Sequence, residues 1–215
     1  MVEWACWYAR ERPENSRNEI YDNINPCIET HGVGSYPTVE KCKIYGSKDV
    51  GVYVYDGASG KFIECEIYEN VKSGMEVRDA GSNPTFERCK MYGSKKGGGV
   101  YVYSGASGKF TDCEMYANKM SGMEVYGVGS NPTFERCKMY ENQCGVLATS
   151  GASGKFTDCE MYANKMFGME VRGVGSNPTV ERCIFRKNQG NGIYIYSGGS
   201  GIFRNNTLKD NTKGA

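Results

Sequence analysis

The chain has 215 residues with 26 basic and 25 acidic side chains, a formal charge of +1. That balance gives no electrostatic reason to expect a nucleic acid or an anionic membrane surface as partner, and no stretch approaches the roughly 18 apolar residues of a membrane helix. Leucine occurs twice, at Leu147 and Leu208, which excludes bundles and coiled coils built on leucine seams. The opening residues hold no apolar run of a secretory signal, so the sequence reads as a soluble intracellular protein, cytoplasmic or nuclear.

Residues 1–27, with Trp4, Trp7 and Tyr8, carry no part of the repeat that follows and are expected to cap it. From residue 28 to the end the chain is one repeat domain. Its register mark is a cysteine ladder, Cys42, Cys65, Cys89, Cys113, Cys137, Cys159 and Cys183, with steps of 23, 24, 24, 24, 22 and 24, and the next rung is Asn206. A period in this range marks a solenoid. A rung that accepts a thiol or an amide argues for an interior turn position and against a disulfide framework. With one histidine and no Cys-x-x-Cys pair, zinc is not expected, and the reading contains no cofactor.

Each unit holds three short strands. Glycines nine or so residues after the rung (Gly51, Gly74, Gly99, Gly122) open alternating segments such as Val52-Tyr53-Val54-Tyr55 and Met75-Glu76-Val77-Arg78; period-two alternation means a strand with one buried face. A second strand surrounds the apolar column three before the rung (Phe62, Phe86, Phe110, Phe134, Phe156), and a third surrounds the column two after it (Ile67, Met91, Met115, Met139, Met161). Asparagines five after the rung (Asn70, Asn118, Asn142, Asn164, Asn188, Asn211) are read as turn residues with left-handed backbone angles. The pattern predicts an all-β, right-handed, single-stranded parallel β-helix of about eight coils of 22–24 residues. A leucine-rich repeat would need leucine where Pro37, Gly60, Pro84 and Gly108 stand.

A second period is superposed. The residue before the rung runs Lys41, Glu64, Arg88, Asp112, Arg136, Asp158, Arg182, and the residue after it alternates likewise through Lys43, Glu66, Lys90 and Glu114. Coils about 4.8 Å apart would bring opposite charges together and disfavour a slip by one coil.

The phrase Gly-Ser-Asn-Pro-Thr-Phe-Glu-Arg-Cys-Lys-Met-Tyr at 81–92, followed by Gly-Gly-Val-Tyr-Val-Tyr at 98–103 and Lys-Phe-Thr-Asp-Cys-Glu-Met-Tyr-Ala-Asn at 109–118, resembles the pectate-lyase-like right-handed β-helix repeats. It is most similar to the carbohydrate-binding and sugar-hydrolase repeats of intracellular F-box substrate receptors, although neither an F-box nor a zinc-finger signature accompanies it. In such enzymes the sheet of alternating strands grips polysaccharide. Its outward positions here supply the candidate ligand-binding residues Tyr53, Tyr55, Glu76, Arg78, Tyr101, Tyr103, Glu124, Tyr126, Glu170, Arg172, Tyr194 and Tyr196. Tyrosine rings stack on sugars, while Glu and Arg bind hydroxyls and carboxylates.

A catalytic centre should break the repeat, yet the same glutamate recurs as Glu29, Glu76, Glu124 and Glu170, and the break at Leu147-Ala148-Thr149 beside Cys144 contains neither acid nor base. No catalytic residue is assigned. The reading is a non-enzymatic binding or scaffold module for an extended glycan or peptide; a polysaccharide lyase, hydrolase or epimerase on the same face and a purely structural repeat are the alternatives. A further outward column, Tyr45, Tyr68, Tyr92, Tyr116, Tyr140 and Tyr162, is read either as a second aromatic surface or as stacked tyrosines that stabilise the sheet. No cap follows Asn211, so end-to-end self-association through the last coil is expected.

Overall fold

The structure, a computed structural model, describes residues 18–213. Trp4, Trp7, Tyr8 and Cys6 lie outside them. The expected solenoid forms, with three strands per turn over about eight turns and every strand pairing parallel. Among the described residues, four-residue strands from Ile28–His31 to Ile193–Tyr196 make one eight-stranded sheet, and the phenylalanine-centred strands from Thr38–Glu40 to Ile202–Arg204 make another. A nine-stranded sheet runs from Glu19–Tyr21 to Thr207–Lys209. Glu19–Tyr21 pairs with Lys43–Tyr45, which aligns Asn18 with Cys42. The first turn thus begins inside the segment expected to act as a cap, and the ladder has asparagine at both ends.

Register explains the interior. Like side chains stack on like, and Phe62, Phe86, Phe110, Phe134 and Phe156, all fully buried, form a column with ring centroids 4.5–5.2 Å apart. The thiols pack beside them and bond to backbone at the bend. Cys89, Cys113 and Cys137 donate to the carbonyls of Phe62, Phe86 and Phe110 at 3.4, 3.5 and 3.4 Å, and Cys89 Sγ accepts from the Cys65 amide at 3.4 Å. Asn206 does the same work with its amide, donating to Val180 O at 3.0 Å and accepting from Cys183 N at 2.8 Å. Cysteine and asparagine are interchangeable at the rung because each is small and can both donate and accept a hydrogen bond there.

The asparagines five after the rung are not left-handed turn residues, contrary to expectation. The positive φ angles fall instead on the residue before the rung, from Lys41 to Arg182, at 52–55°, and on the residue four after it, such as Glu69 and Ala117 at 54° and 52°. Asn118, Asn142, Asn164 and Asn188 are buried. Asn142 accepts from Asn118 N at 3.0 Å and donates to Met115 O at 2.9 Å, and Asn164 and Asn188 repeat the pattern. This internal amide ladder satisfies backbone groups that leave the sheets at the turn. It also dictates the glycine that follows: a Cβ on Gly122 would stand 2.8 Å from Asn142 Nδ2 and 2.9 Å from Gly145 O.

In the column before the rung the alternating charges pair across coils. Arg136 and Arg182 each make two hydrogen bonds to Asp112 and Asp158, at 2.8 and 3.1 Å and at 2.8 and 3.0 Å, and Arg88 reaches Glu64 at 3.1 Å. The arginine hydrogen bonds hold both aspartates below the usual carboxylate range. All are exposed and screened by solvent, so their main effect is on register.

Two predictions follow from the interior. The amide ladder has a gap at Ser94, where Asn70 Nδ2 and Ser94 Oγ are buried without partners. Ser94→Asn supplies the missing acceptor and donor, and an increase of about 1–2 kcal/mol in urea-unfolding stability is expected. The thiols of Cys42, Cys65, Cys89, Cys113, Cys137, Cys159 and Cys183 are buried, so a thiol reagent should label them no faster than the chain unfolds in a stopped-flow or mass-resolved assay.

Candidate functional site

Parallel register puts the twelve expected site residues on one sheet in two columns. Glu29, Tyr53, Glu76, Tyr101, Glu124, Leu147, Glu170 and Tyr194 form the first, and His31, Tyr55, Arg78, Tyr103, Tyr126, Thr149, Arg172 and Tyr196 the second. The columns face outward because Val54, Val77, Val102 and Val125 between them are fully buried. Most of the outward groups are bonded to one another, in two networks separated by an open centre.

Toward the N-terminus, the Arg78 guanidinium lies over the rings of Tyr53 and Tyr55, 5.6 and 5.2 Å from their centroids, and its Nε donates to Asp79 at 3.0 Å. The Tyr53 and Tyr103 hydroxyls meet at 3.5 Å, Tyr103 donates to Glu76 Oε2 at 3.4 Å, and Tyr55 donates to Glu29 at 2.7 Å. Toward the C-terminus, Glu170 is buried at 7 % exposure although its column faces outward. Tyr196 donates to Glu170 Oε1 at 2.7 Å, Arg172 stands 3.4 Å from the same oxygen and 3.1 Å from Tyr196, and the Cys144 thiol points to Oε2 at 3.7 Å. Burial pushes that thiol up to about 11, so it serves as a donor and not as a nucleophile. Tyr194 is sandwiched between Phe167 and Tyr196, with centroids 4.7 and 4.9 Å away. The repeat break at Leu147 and Thr149 is a buried patch between these groups and the centre.

The centre holds Tyr101, Glu124 and Tyr126. The Tyr101 ring stacks on Tyr103 at 4.4 Å, and Tyr126 is 45 % exposed. Among the described residues no hydrogen bond or ion pair engages the Tyr101 hydroxyl or the Glu124 carboxylate. Partial burial lifts Glu124 above the usual glutamate range, opposed by Arg172 and reinforced by Glu170 and Glu76. Burial likewise raises Glu76, against a Ser73 hydrogen bond and the Lys72 charge. It pushes Tyr101 up to about 12, with Glu124 and Glu76 adding to the effect.

Glu76, Tyr101 and Glu124 line an open depression of about 310 Å³, bounded also by Lys72, Ser73, Lys96 and Met120; Tyr126 lies outside it. The four boundary residues were not among those expected from sequence. They sit in the turns just before the glycines that open each strand, where Lys72-Ser73-Gly74, Lys96-Gly97-Gly98 and Met120-Ser121-Gly122 are the only signal. Lys72 is held by Asp49 at 2.8 Å. Glu76 and Glu124 stand two coils apart, about 9–10 Å by strand spacing. Among the described residues no three His, Cys, Asp or Glu side chains are grouped to hold a metal ion.

The sequence matches the family described as right handed beta helix region over residues 8–98 and 82–215, and the chain belongs to that family. No curated protein matches it. Among solved structures it is similar to the periplasmic alginate epimerase AlgG, with a TM-score of 0.76 at 15 % identity over 88 % of this chain and 49 % of that one. It is similar also to pectate lyase Pel9A, with a TM-score of 0.69 at 17 % identity over 86 % and 52 % of the two chains. The mannuronan C-5 epimerase AlgE6 A-module of Azotobacter vinelandii gives 0.70 at 14 % identity over 87 % and 56 %. The chain therefore spans about half the length of these neighbours, and at such identities the likeness is one of fold.

The state of Glu124 gives a pH signature. A carboxyl raised by folding holds its proton more tightly folded than unfolded, so the stability it lends is complete below the ordinary glutamate pKa of about 4.3 and is lost as pH rises through the raised value. Glu124→Gln, which stays neutral, should therefore melt above the parent protein at pH 7. The gap should close by about pH 4 in a thermal unfolding series, since both side chains are then uncharged.

Proposed function

We propose that the chain is a non-catalytic binding module that holds an extended carbohydrate along the sheet of four-residue strands, centred on Tyr101 and Glu124. The observation that carries the reading is the contrast along this face. The arginines and most of the flanking tyrosines and glutamates are tied to one another, whereas Tyr101 and Glu124 sit half-buried in a depression with their polar atoms open to a ligand. A volume of about 310 Å³ lies at the lower end for small-ligand sites, and the face continues beyond it on both sides, as a polymer requires.

The chemistry suits sugar. The Tyr101 and Tyr126 rings offer flat apolar surface, Glu124 accepts from hydroxyls, and Lys72 and Lys96 at the rim can meet an anionic substituent. The fold neighbours named for alginate, mannuronan and pectate support a polysaccharide over a peptide. Catalysis is the second reading, favoured by one feature: an unpartnered carboxylate beside a tyrosine is a plausible proton acceptor and donor pair. Against it, burial raises Glu76 and Glu124 alike, so neither is held ionised as the base to the other's acid.

The test is titration calorimetry of the purified chain against alginate, pectate and neutral glucan oligosaccharides, with mass analysis of the recovered sugars. Saturable binding that Tyr101→Ala weakens by roughly tenfold or more, the loss of one good stacking contact at about 1–2 kcal/mol, with sugars recovered unchanged, supports the module. Shortened, unsaturated or epimerised products transfer the assignment to an enzyme, and absence of binding to every polymer overturns both.

A further inference from the structure

The rim beside the proposed carbohydrate face changes character along the solenoid. Backbone hydrogen bonds link the turns before the four-residue strands from coil to coil, Lys72 to Asp49, Met120 to Gly97, Gln143 to Met120 and Met166 to Gln143. Toward the N-terminus this rim offers the charged groups Asp49, Lys72 and Lys96; toward the C-terminus it offers two thioethers, Met120 at 44 % and Met166 at 39 % exposure. Gln143 lies between them, and its Nε2 donates to Met166 Sδ at 3.4 Å. Phe167, half-buried, precedes Gly168 where Ser73 precedes Gly74 in the depression. Both exposed methionines close the same phrase, Tyr-Ala-Asn-Lys-Met at 116–120 and 162–166, and each follows an exposed lysine, Lys119 and Lys165.

We infer that this methionine shelf receives acyl substituents, so that the carbohydrate held on the neighbouring sheet is an O-acylated acidic polysaccharide; the inference rests on the carbohydrate reading above.

Three observations choose the occupant. First, the shelf is continuous with the depression, because Met120 belongs to both. A polymer lying over Tyr101 and Glu124 passes directly onto it. Second, its groups are soft and apolar. An unbranched thioether adapts its shape to small apolar groups such as the methyl of an acetyl ester, and Phe167 adds a ring beside Met166. The amide of Gln143 is already engaged by Met166, so sugar hydroxyls are poorly served there and an acyl group is well served. Third, the arrangement repeats. Lys119-Met120 and Lys165-Met166 stand two coils apart, about 9–10 Å by strand spacing. Each offers a cation for a carboxylate and, next to it, an apolar contact for an acyl group. A substituted acidic polymer presents that pair of features again and again along its length, whereas a single sugar presents it once.

The probes are alginate and pectate oligosaccharides, each compared by titration calorimetry with the same oligosaccharide after partial chemical O-acetylation. The acetylated form should bind roughly fourfold tighter or more, the effect of burying one methyl group. Met120→Gln/Met166→Gln, which keeps the length of both side chains at exposed positions, should abolish that preference, so that both forms bind alike. Tyr101→Ala should weaken both forms and keep the preference. If the double variant loses its fold by circular dichroism, mild hydrogen peroxide carries the test on the unsubstituted chain. It adds one oxygen atom to an exposed thioether, and every other methionine among the described residues is fully buried. Peptide mass mapping should place the sulfoxides at Met120 and Met166, and the oxidised chain should lose the preference. Equal affinity for plain and acetylated forms, or a preference that survives removal of both thioethers, overturns the acyl shelf and leaves the carbohydrate reading standing. Absence of binding to either form of every oligosaccharide overturns both.

Discussion

Everything in this molecule depends on parallel strands of successive coils pairing in register at about 4.8 Å. Because each coil repeats the one before, a residue finds its own counterpart directly above and below. A column must therefore be tolerable as a stack of itself. Phenylalanine, methionine and valine stack well in the dry interior; asparagine stacks where its amide can pass a hydrogen bond from coil to coil. Charges survive only by alternating, as the columns flanking the rung do. The turn residues show the same constraint from the other side. Non-glycine residues at φ of 52–55° each cost about 1 kcal/mol or more, and they persist because the bonds on either side leave the backbone no other path.

The outer surfaces show what one repeat can be made to do. On the nine-stranded sheet seven tyrosines from Tyr21 to Tyr162 stack in one unbroken column. On the sheet of four-residue strands the two-coil superperiod alternates Tyr with Glu and Tyr with Arg. Long side chains there bridge coils and bind one another: Tyr103 to Glu76, Tyr55 to Glu29, Tyr196 to Glu170. Where the superperiod meets its own irregularity, at Cys144, Leu147 and Thr149, the partners run out for Glu124 and Tyr101. The candidate site is the place where a self-satisfying pattern is interrupted. It is also where partial burial lifts a carboxylate without a partner to compensate.

The resemblance to a pectate lyase and to alginate epimerases is carried by the solenoid, and a fold does not by itself set function. Function on such a scaffold is set by outward residues that the fold barely constrains. In this chain the outward groups left without partners are Tyr101 and Glu124, beside the rim residues Lys72 and Lys96.

The sequence alone determined the solenoid, its period and the identity of nearly every interior column. Burial follows from a residue's own apolarity and its parity along a strand, and both are local. It also placed all twelve candidate residues on one sheet and foresaw the charge pairs before the rung. Only the tertiary structure decided how the asparagines act. A buried amide ladder and a left-handed turn use the same residue at the same spacing, and the two differ only in where the backbone turns in space. It likewise decided that Glu170 is buried beneath Tyr196 and Arg172, that the recurrent Glu76 and Glu124 differ in having partners, and that Lys72, Lys96, Ser73 and Met120 complete the depression. Those outcomes depend on the reach and rotamers of long side chains one coil apart, contacts between residues more than twenty positions distant that no local pattern encodes.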